Sequence, residues 1–250
     1  MQKFSLLNNI SPYKTDDSKK IQIAKMFDHI SGNYDFLNSL LSLGIDRFWR
    51  KKTLQELPID PVNQYKVLDV ASGTCALSIQ AVTMYPNIKI AATDISLKML
   101  QNGFHRIEKL GFQKNIEISV EDAEHLSFSD NTFDAVMVAF GVRNFENLEA
   151  GLQEMRRVLK PHGKIVILEF SKPRKFPIKQ LFNFYFKNIL PIIGNLLSKD
   201  SRAYTYLFES VQHFPDYERF TAILSNIGLI KCSYKPLTFG ICTIYSGYKL

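Results

Sequence analysis

Three carboxylates stand at the ends of three successive apolar runs. Asp69 closes the run at 66–71, Asp94 follows 88–93, and Asp122 follows 116–120. The first sits in a turn, Asp69-Val70-Ala71-Ser72-Gly73-Thr74-Cys75-Ala76, that leads into a helical stretch. Glycine there lets the backbone approach a ligand closely, because no Cβ intervenes. A carboxylate about twenty residues later, at the end of the second strand, suits both hydroxyls of a ribose. Asp94 could instead cap the next helix, but Ser96 can do that equally well. Asp122, in Glu121-Asp122-Ala123-Glu124-His125-Leu126, could receive the exocyclic amine of an adenine or belong to a solvated acidic loop. Read alone, the turn also fits an ordinary strand–helix connection. It has one glycine where the dinucleotide pattern G-x-G-x-x-G wants three, and the chain has no lysine-bearing phosphate loop.

The elements that must position these residues alternate. Apolar runs at 66–71, 88–93, 116–120, 133–140 and 163–170 predict strands, and stretches at 76–85, 96–110 and 147–159 predict helices. Continuous apolar strands between helices mean a parallel sheet covered on both faces. Before them, 17–31 reads as an amphipathic helix, with shorter helices near 36–43 and 46–57. After them, 177–197 is aromatic and helical in tendency, and 216–227 reads as a helix. The strands at 229–236 and 240–249 are close enough to pair antiparallel at a sheet edge.

A chain of 250 residues that is 46% hydrophobic can bury a sizeable core, which excludes wholesale disorder. Cys75, Cys232 and Cys242 match neither a disulfide nor a metal-ligand framework, so a reducing cytosol is the simplest compartment. Residues 1–20 hold no apolar signal-peptide core, and the run 181–197 is too interrupted for a membrane span. The net charge of +7 is concentrated late: residues 172–250 carry 11 basic and 4 acidic residues, against 20 of each before them. Lys172, Arg174, Lys175, Lys179 and Lys187 are interleaved with Phe176, Phe182, Phe184, Tyr185 and Phe186. Such a stretch suits an anionic membrane surface, and equally a helix covering the core or a homodimer contact.

Several segments, in order, resemble the class I S-adenosylmethionine methyltransferases, and within them the ubiquinone/menaquinone biosynthesis C-methyltransferases. These are Tyr34-Asp35-Phe36-Leu37-Asn38 with Ser42 and Trp49, Phe140-Gly141-Val142-Arg143-Asn144, Arg157-Val158-Leu159-Lys160-Pro161, and Leu168-Glu169-Phe170-Ser171. Tyr206-Leu207, Ser210, Phe214-Pro215, Gly240-Ile241 and Gly247-Tyr248-Lys249 continue the series, so the resemblance runs from about residue 20 to 250. Departures are Cys75-Ala76 where the family usually has Gly-Asp, Asp46 for histidine, Leu37 for methionine, Ala139 for a small polar residue, and His162 for glycine.

The resemblance implies an α/β, Rossmann-like fold in one domain. Its sheet would be mostly parallel and seven-stranded with an antiparallel last strand, with N-terminal helices and a helical insertion before the last two strands. Residues 1–61 would form a helical lid, 62–171 the cofactor core, and 172–250 the substrate- or membrane-facing part. It implies S-adenosylmethionine held by Asp69, Gly73, Thr74, Asp94, Asp122, Ala123 and Ala139, with no metal. It implies methyl transfer to a ring carbon of a prenylated quinol, in ubiquinone or menaquinone synthesis, by a cytoplasmic enzyme that can lie peripherally on a membrane. Arg143 would stabilise phenolate, Asn144 hold a proton-carrying water, and Tyr34 close the pocket. Competing expectations are methylation of another phenolic or lipid acceptor, and a catalytically silent scaffold in a quinone-synthesis complex. Nucleic acid is not an expected partner, because no nucleic-acid module or amino-methylation motif is present.

Overall fold

The computed structural model describes residues 10–13, 15–32, 42, 44–60, 62–189 and 201–250. Tyr34 and, apart from Ser42, the helix predicted near 36–43 lie outside the described residues.

The apolar runs form the strands expected of them: β1 Lys66–Val70, β2 Lys89–Asp94, β3 Ile116–Val120, β4 Phe133–Ala139, β5 Leu159–Phe170, β6 Leu229–Leu237 and β7 Cys242–Lys249. They make one sheet in the order β3-β2-β1-β4-β5-β7-β6. Strands β1 to β5 pair parallel, and β7 runs antiparallel to both β5 and β6. The last two strands therefore pair as predicted, with β7 inserted between β5 and the edge. Strand β5 begins earlier than the predicted 163, at Leu159, directly after a helix.

Helices α1 Lys19–Ile30, α2 Ile45–Leu54, α3 Ala76–Met84, α4 Leu97–Leu110, α5 Leu148–Val158, α6 Ile178–Phe184, α7 Ser201–His213 and α8 Glu218–Asn226 surround the sheet. A π-turn at Tyr185–Ile189 extends α6. Helix α7 has no counterpart among the helices read from periodicity; it lies in the helical insertion that the resemblance implies, where Tyr206-Leu207 and Ser210 match. Helix α4 starts where the sequence allows: Ser96 Oγ accepts the Met99 amide at 3.2 Å, so Ser96 is the cap and Asp94 is not.

The central strands are buried on both faces, with Val67 and Leu68 fully buried in β1 and Val136 and Met137 in β4. One apolar core joins this sheet to α5 and α8, and a second joins it to α2, α3 and α4. Each Leu or Val so buried contributes about 1.5–3 kcal/mol. A third core packs Ile23 and Met26 of α1 against Phe182, Phe186 and Tyr206 of α6, the π-turn and α7. This third core stands over the carboxyl ends of the strands and shapes the site.

Candidate active site

The chain reverses its winding between β1 and β4, and in such sheets the crevice at that switch point takes the ligand. The two strand ends meet tightly there. A Cβ on Gly141 would fall 2.6 Å from the Ala71 Cβ, so only glycine fits after β4. Gly73 has φ +55° with no atom within 4 Å of where its Cβ would lie, which leaves backbone bare toward the crevice. Ala71, Cys75 and Phe140 also have positive φ, at 52°, 58° and 61°. Non-glycine residues in that region cost roughly 1–3 kcal/mol each and gather at functional sites. Cys75 and His162, both at positions where the resembled family usually has glycine, do adopt the left-handed conformation.

Two cavities open from this crevice. The first, about 700 Å³ with its mouth, is bordered by Gly73, Asp94, Asp122, Ala123, Ala139 and Asn144, all expected site residues. Asp94 is anchored from below: Oδ2 accepts the Gly73 amide and Oδ1 the Ser96 amide, both at 2.8 Å. Each carboxylate oxygen keeps a second lone pair, enough for the two hydroxyls of a ribose. Burial raises the Asp94 carboxyl to about 6, against the opposing pull of these amides.

Asp122 is engaged. Its Oδ2 takes the Lys20 ammonium at 2.9 Å and its Oδ1 the Glu124 amide at 3.0 Å. Burial alone would raise its pKa, but that amide and Lys20 together hold it below the ordinary value. Lys20 belongs to α1, which is pinned across the cavity at both ends. Lys19 donates its amide to Glu146, and near the other end Asp28 accepts the Ser96 hydroxyl at 2.6 Å. This strapping places Ile23 and Phe27 on the cavity wall.

Asp69 and Thr74 do not border the first cavity. Asp69 lies beneath it, 1% exposed, with Oδ2 taking the Ser78 hydroxyl at 2.6 Å and Oδ1 without a hydrogen-bond partner among the described residues. Burial pushes its carboxyl up to about 7. Thr74 turns to α4, where its hydroxyl and carbonyl both accept from Arg106 at 3.0 Å.

The second cavity, about 1650 Å³ with its mouth, is walled by aromatic rings. Trp49, Phe140, Phe170, Phe186 and Phe182 form a continuous series, with successive centroids 6.2, 4.7, 5.9 and 4.2 Å apart. The Trp49 indole N–H is satisfied by Thr238 Oγ1 at 2.7 Å. Asp46, the residue that departs from the family's histidine, forms a 2.7 Å ion pair with Arg50 on the same wall. Phe27, Phe140 and Asn144 border both cavities, so the two chambers meet there.

Arg143 and Asn144 sit on a short 3-10 turn, Val142–Asn144, after β4. Both are buried and both border the aromatic cavity. Arg143 Nη1 meets Glu169 Oε1 at 2.9 Å, and also donates to the Phe140 carbonyl. Glu169 is fully buried at the end of β5; burial raises its pKa, opposed first by the Arg143 charge. Of the buried polar atoms without a hydrogen-bond partner among the described residues, three belong to residues that border this cavity: Arg143 Nε, Asn144 Oδ1 and the Tyr206 hydroxyl. Leaving such an atom unpaired costs about 1–3 kcal/mol. All three residues border one apolar cavity, where a polar group could pair with them.

Sequence reading missed Glu169, Tyr206 and Lys20 as site residues. An acid ending the apolar run Ile165–Leu168 was a usable signal for Glu169. Tyr206 and Lys20 carry no local signal, because helix packing alone brings them there. His213 and His125 stay outside both cavities; the first bonds the Glu209 carbonyl and the second is largely exposed.

The ubiE/COQ5 methyltransferase family matches residues 14–249. A demethylmenaquinone methyltransferase of Bacteroides fragilis is 45% identical over 96% of this chain and 97% of its own. A ubiquinone/menaquinone biosynthesis C-methyltransferase of Geotalea daltonii is 41% identical over 94% and 98%. Among solved structures, a putative S-adenosyl-L-methionine-dependent methyltransferase of Methanococcus maripaludis aligns with TM-score 0.60 and 22% identity over 88% of this chain and 91% of that one. At that identity the likeness concerns the fold.

Proposed function

The chain belongs to the ubiE/COQ5 methyltransferase family, and from that premise we propose that it methylates a ring carbon of a prenylated quinol with S-adenosylmethionine. The observation that carries the reading is the shared wall. An acid-lined nucleotide cavity and a larger aromatic cavity meet at Phe27, Phe140 and Asn144. A polar cofactor and an apolar acceptor bound one in each have their reacting groups side by side, which supplies the alignment that methyl transfer needs.

The first cavity fits the cofactor. Gly73 leaves backbone bare, Asp94 offers two oxygens to a ribose, and the surrounding carboxylates suit a cation. When bound, S-adenosylmethionine supplies a methyl group already activated on sulfur. The chain's own residues must then raise the nucleophilicity of the acceptor ring. A ring hydroxyl has a phenol-like pKa of about 10, so its anion needs stabilisation at neutral pH. The Arg143 guanidinium meets that need from the cavity wall, while Glu169 fixes its orientation. Asn144 borders both cavities, which supports a role in holding a water that takes the proton away.

The name of the Bacteroides fragilis relative, a demethylmenaquinone methyltransferase, directs the first assay to a naphthoquinol. Purified protein, S-adenosylmethionine and reduced demethylmenaquinol in detergent should give the C-methylated quinol by mass spectrometry. Absence of product from folded protein, with both this quinol and the corresponding benzoquinol, overturns the reading and favours a silent scaffold.

The acceptor's tail has to arrive from a bilayer. Among the described residues no helix is long and apolar enough to cross one. The surface beside the aromatic cavity supports peripheral docking. Phe239 is 79% exposed, Leu181 61%, and both border the cavity mouth. Phe176 and Phe184 are exposed too, with Lys175, Lys179 and Lys187 among them. The basic cluster is smaller than its sequence suggested. Lys172 caps α7 by donating to the Gln212 and Phe214 carbonyls, and Arg174 is paired with Glu218. Phe182 and Phe186 face inward and wall the cavity. Charge reversal at Lys175 and Lys179 should weaken binding to anionic vesicles; unchanged binding counts against this docking face.

A further inference from the structure

Tyr206 is a buried residue on the aromatic cavity that no role above uses. It lies in the middle of α7, 2% exposed, and borders the cavity. Helix α7 packs on the turn that carries Arg143 and Asn144. Its hydroxyl has no hydrogen-bond partner among the described residues, and neither have Arg143 Nε and Asn144 Oδ1. A phenylalanine would fill the same space without stranding a hydroxyl. The three orphaned atoms are also chemically complementary. Arg143 Nε only donates, Asn144 Oδ1 only accepts, and the tyrosine hydroxyl does either.

Resting on the quinol reading above, we propose that Tyr206 is a substrate-binding residue whose hydroxyl, with Arg143 Nε, donates hydrogen bonds to the ionised ring oxygen of the acceptor. Asn144 Oδ1 accepts from the water that takes the proton of that oxygen as it ionises. The ring hydroxyl thus exchanges one acceptor for two donors as it ionises, and the site is complementary to the reactive form. Tyr206 acts as a donor and not as a base. Burial raises its pKa well above 10, so it keeps its proton throughout the working range. The charged groups that reach it are Arg143, Glu169 and, on its own helix, Glu209.

The test is Tyr206→Phe, which keeps the ring and removes only the unpartnered oxygen. Because the hydroxyl has no partner, Tm alone does not separate a packing tyrosine from a substrate-binding one; kcat and the bound-naphthol pKa do. The proposal expects a Tm equal to or above wild type, unchanged S-adenosylmethionine affinity, and kcat lowered roughly 100- to 1,000-fold, the usual effect of losing one preorganised donor. The limb of the kcat–pH profile that reports ring ionisation should move to higher pH. A tailless naphthol, followed by its phenolate absorbance, should bind with a lower pKa to wild type than to Tyr206→Phe, whether or not methyl transfer occurs. Equal naphthol pKa values in the two proteins overturn the Tyr206 role, as does a variant that loses Tm and cofactor affinity together. Wild type that shifts the naphthol but methylates no quinol overturns the proposed function and leaves the donor role standing.

Discussion

Arg143 and Glu169 form an ion pair at 2.9 Å in which the carboxylate is wholly buried and the guanidinium nearly so. Glu169 also accepts the Arg143 amide at 3.3 Å and the Phe170 amide at 2.9 Å. The pair ties the turn after β4 to the end of β5, and Arg143 stacks over Phe170 at 5.6 Å. A charge held this way cannot swing to solvent, so its direction toward the aromatic cavity belongs to the fold.

Removing one member of such a pair leaves a buried charge uncompensated. Glu169→Gln should therefore lower stability by about 3–5 kcal/mol in urea denaturation. S-adenosylmethionine affinity should stay near wild type, because Glu169 does not border the cofactor cavity. An unchanged midpoint would show that the pair is not compensating buried charge.

Asp94 should make cofactor binding pH-dependent. Its carboxyl, raised to about 6 by burial, must be ionised to accept from both ribose hydroxyls. The Kd for S-adenosylmethionine should be flat above that pH and rise about tenfold per unit below it. Asp94→Asn should weaken binding roughly 10- to 100-fold at neutral pH and abolish the slope. Calorimetry across the range reads both effects, and a slope retained in the variant assigns the titration to another group.

Asp69 affects stability in the opposite sense from a paired carboxylate. Its folded pKa, about 7, exceeds the ordinary 3.8, so the folded chain holds the proton more tightly than the unfolded one. That stabilisation is complete below the ordinary value and is lost as pH rises toward 7. Asp69→Asn cannot ionise, so relative to wild type it should gain Tm at about pH 8 compared with about pH 5. Measured without cofactor, an equal difference at the two pH values would refute the assignment.

Cys75 packs against helix α4 at Gly103, where an added Cβ would lie 2.7 Å from the sulfur and 3.2 Å from the Thr74 carbonyl carbon. Gly103→Ala should cost about 1–3 kcal/mol by overpacking. In a Cys75→Gly background the cost should shrink but not vanish, because the Thr74 backbone remains. A double-mutant cycle should give a coupling of about 0.5–3 kcal/mol. A coupling of zero would mean that the sulfur is not what Gly103 accommodates.

Much of the cofactor side was legible because its signals are local. Ser96 caps α4 within four residues of sequence, Gly73 and Asp94 terminate neighbouring strands, and the strand–helix alternation dictates where those ends point. The acceptor side was less so. Lys172 read as a surface base, yet the end of α7 uses it as a cap. Asp122 read as open to a ligand, yet α1 brings Lys20 onto it from 102 residues away. Such pairings depend on how helices pack across the sheet, and no spacing in the chain records that.

From the sequence by itself follow the sheet, the crevice at its switch point, Asp94 beside Gly73, and the family resemblance. Each rests on hydrophobic period, turn chemistry or short motifs, which act over a few residues. Only the tertiary structure decided that Thr74 turns toward Arg106, that Asp69 lies beneath the cavity, and that Arg143, Asn144 and Tyr206, each with an unpaired buried atom, border one apolar chamber. Hydrogen-bond satisfaction and burial are sums over neighbours from distant parts of the chain, so they exist only once the helices have closed over the strands.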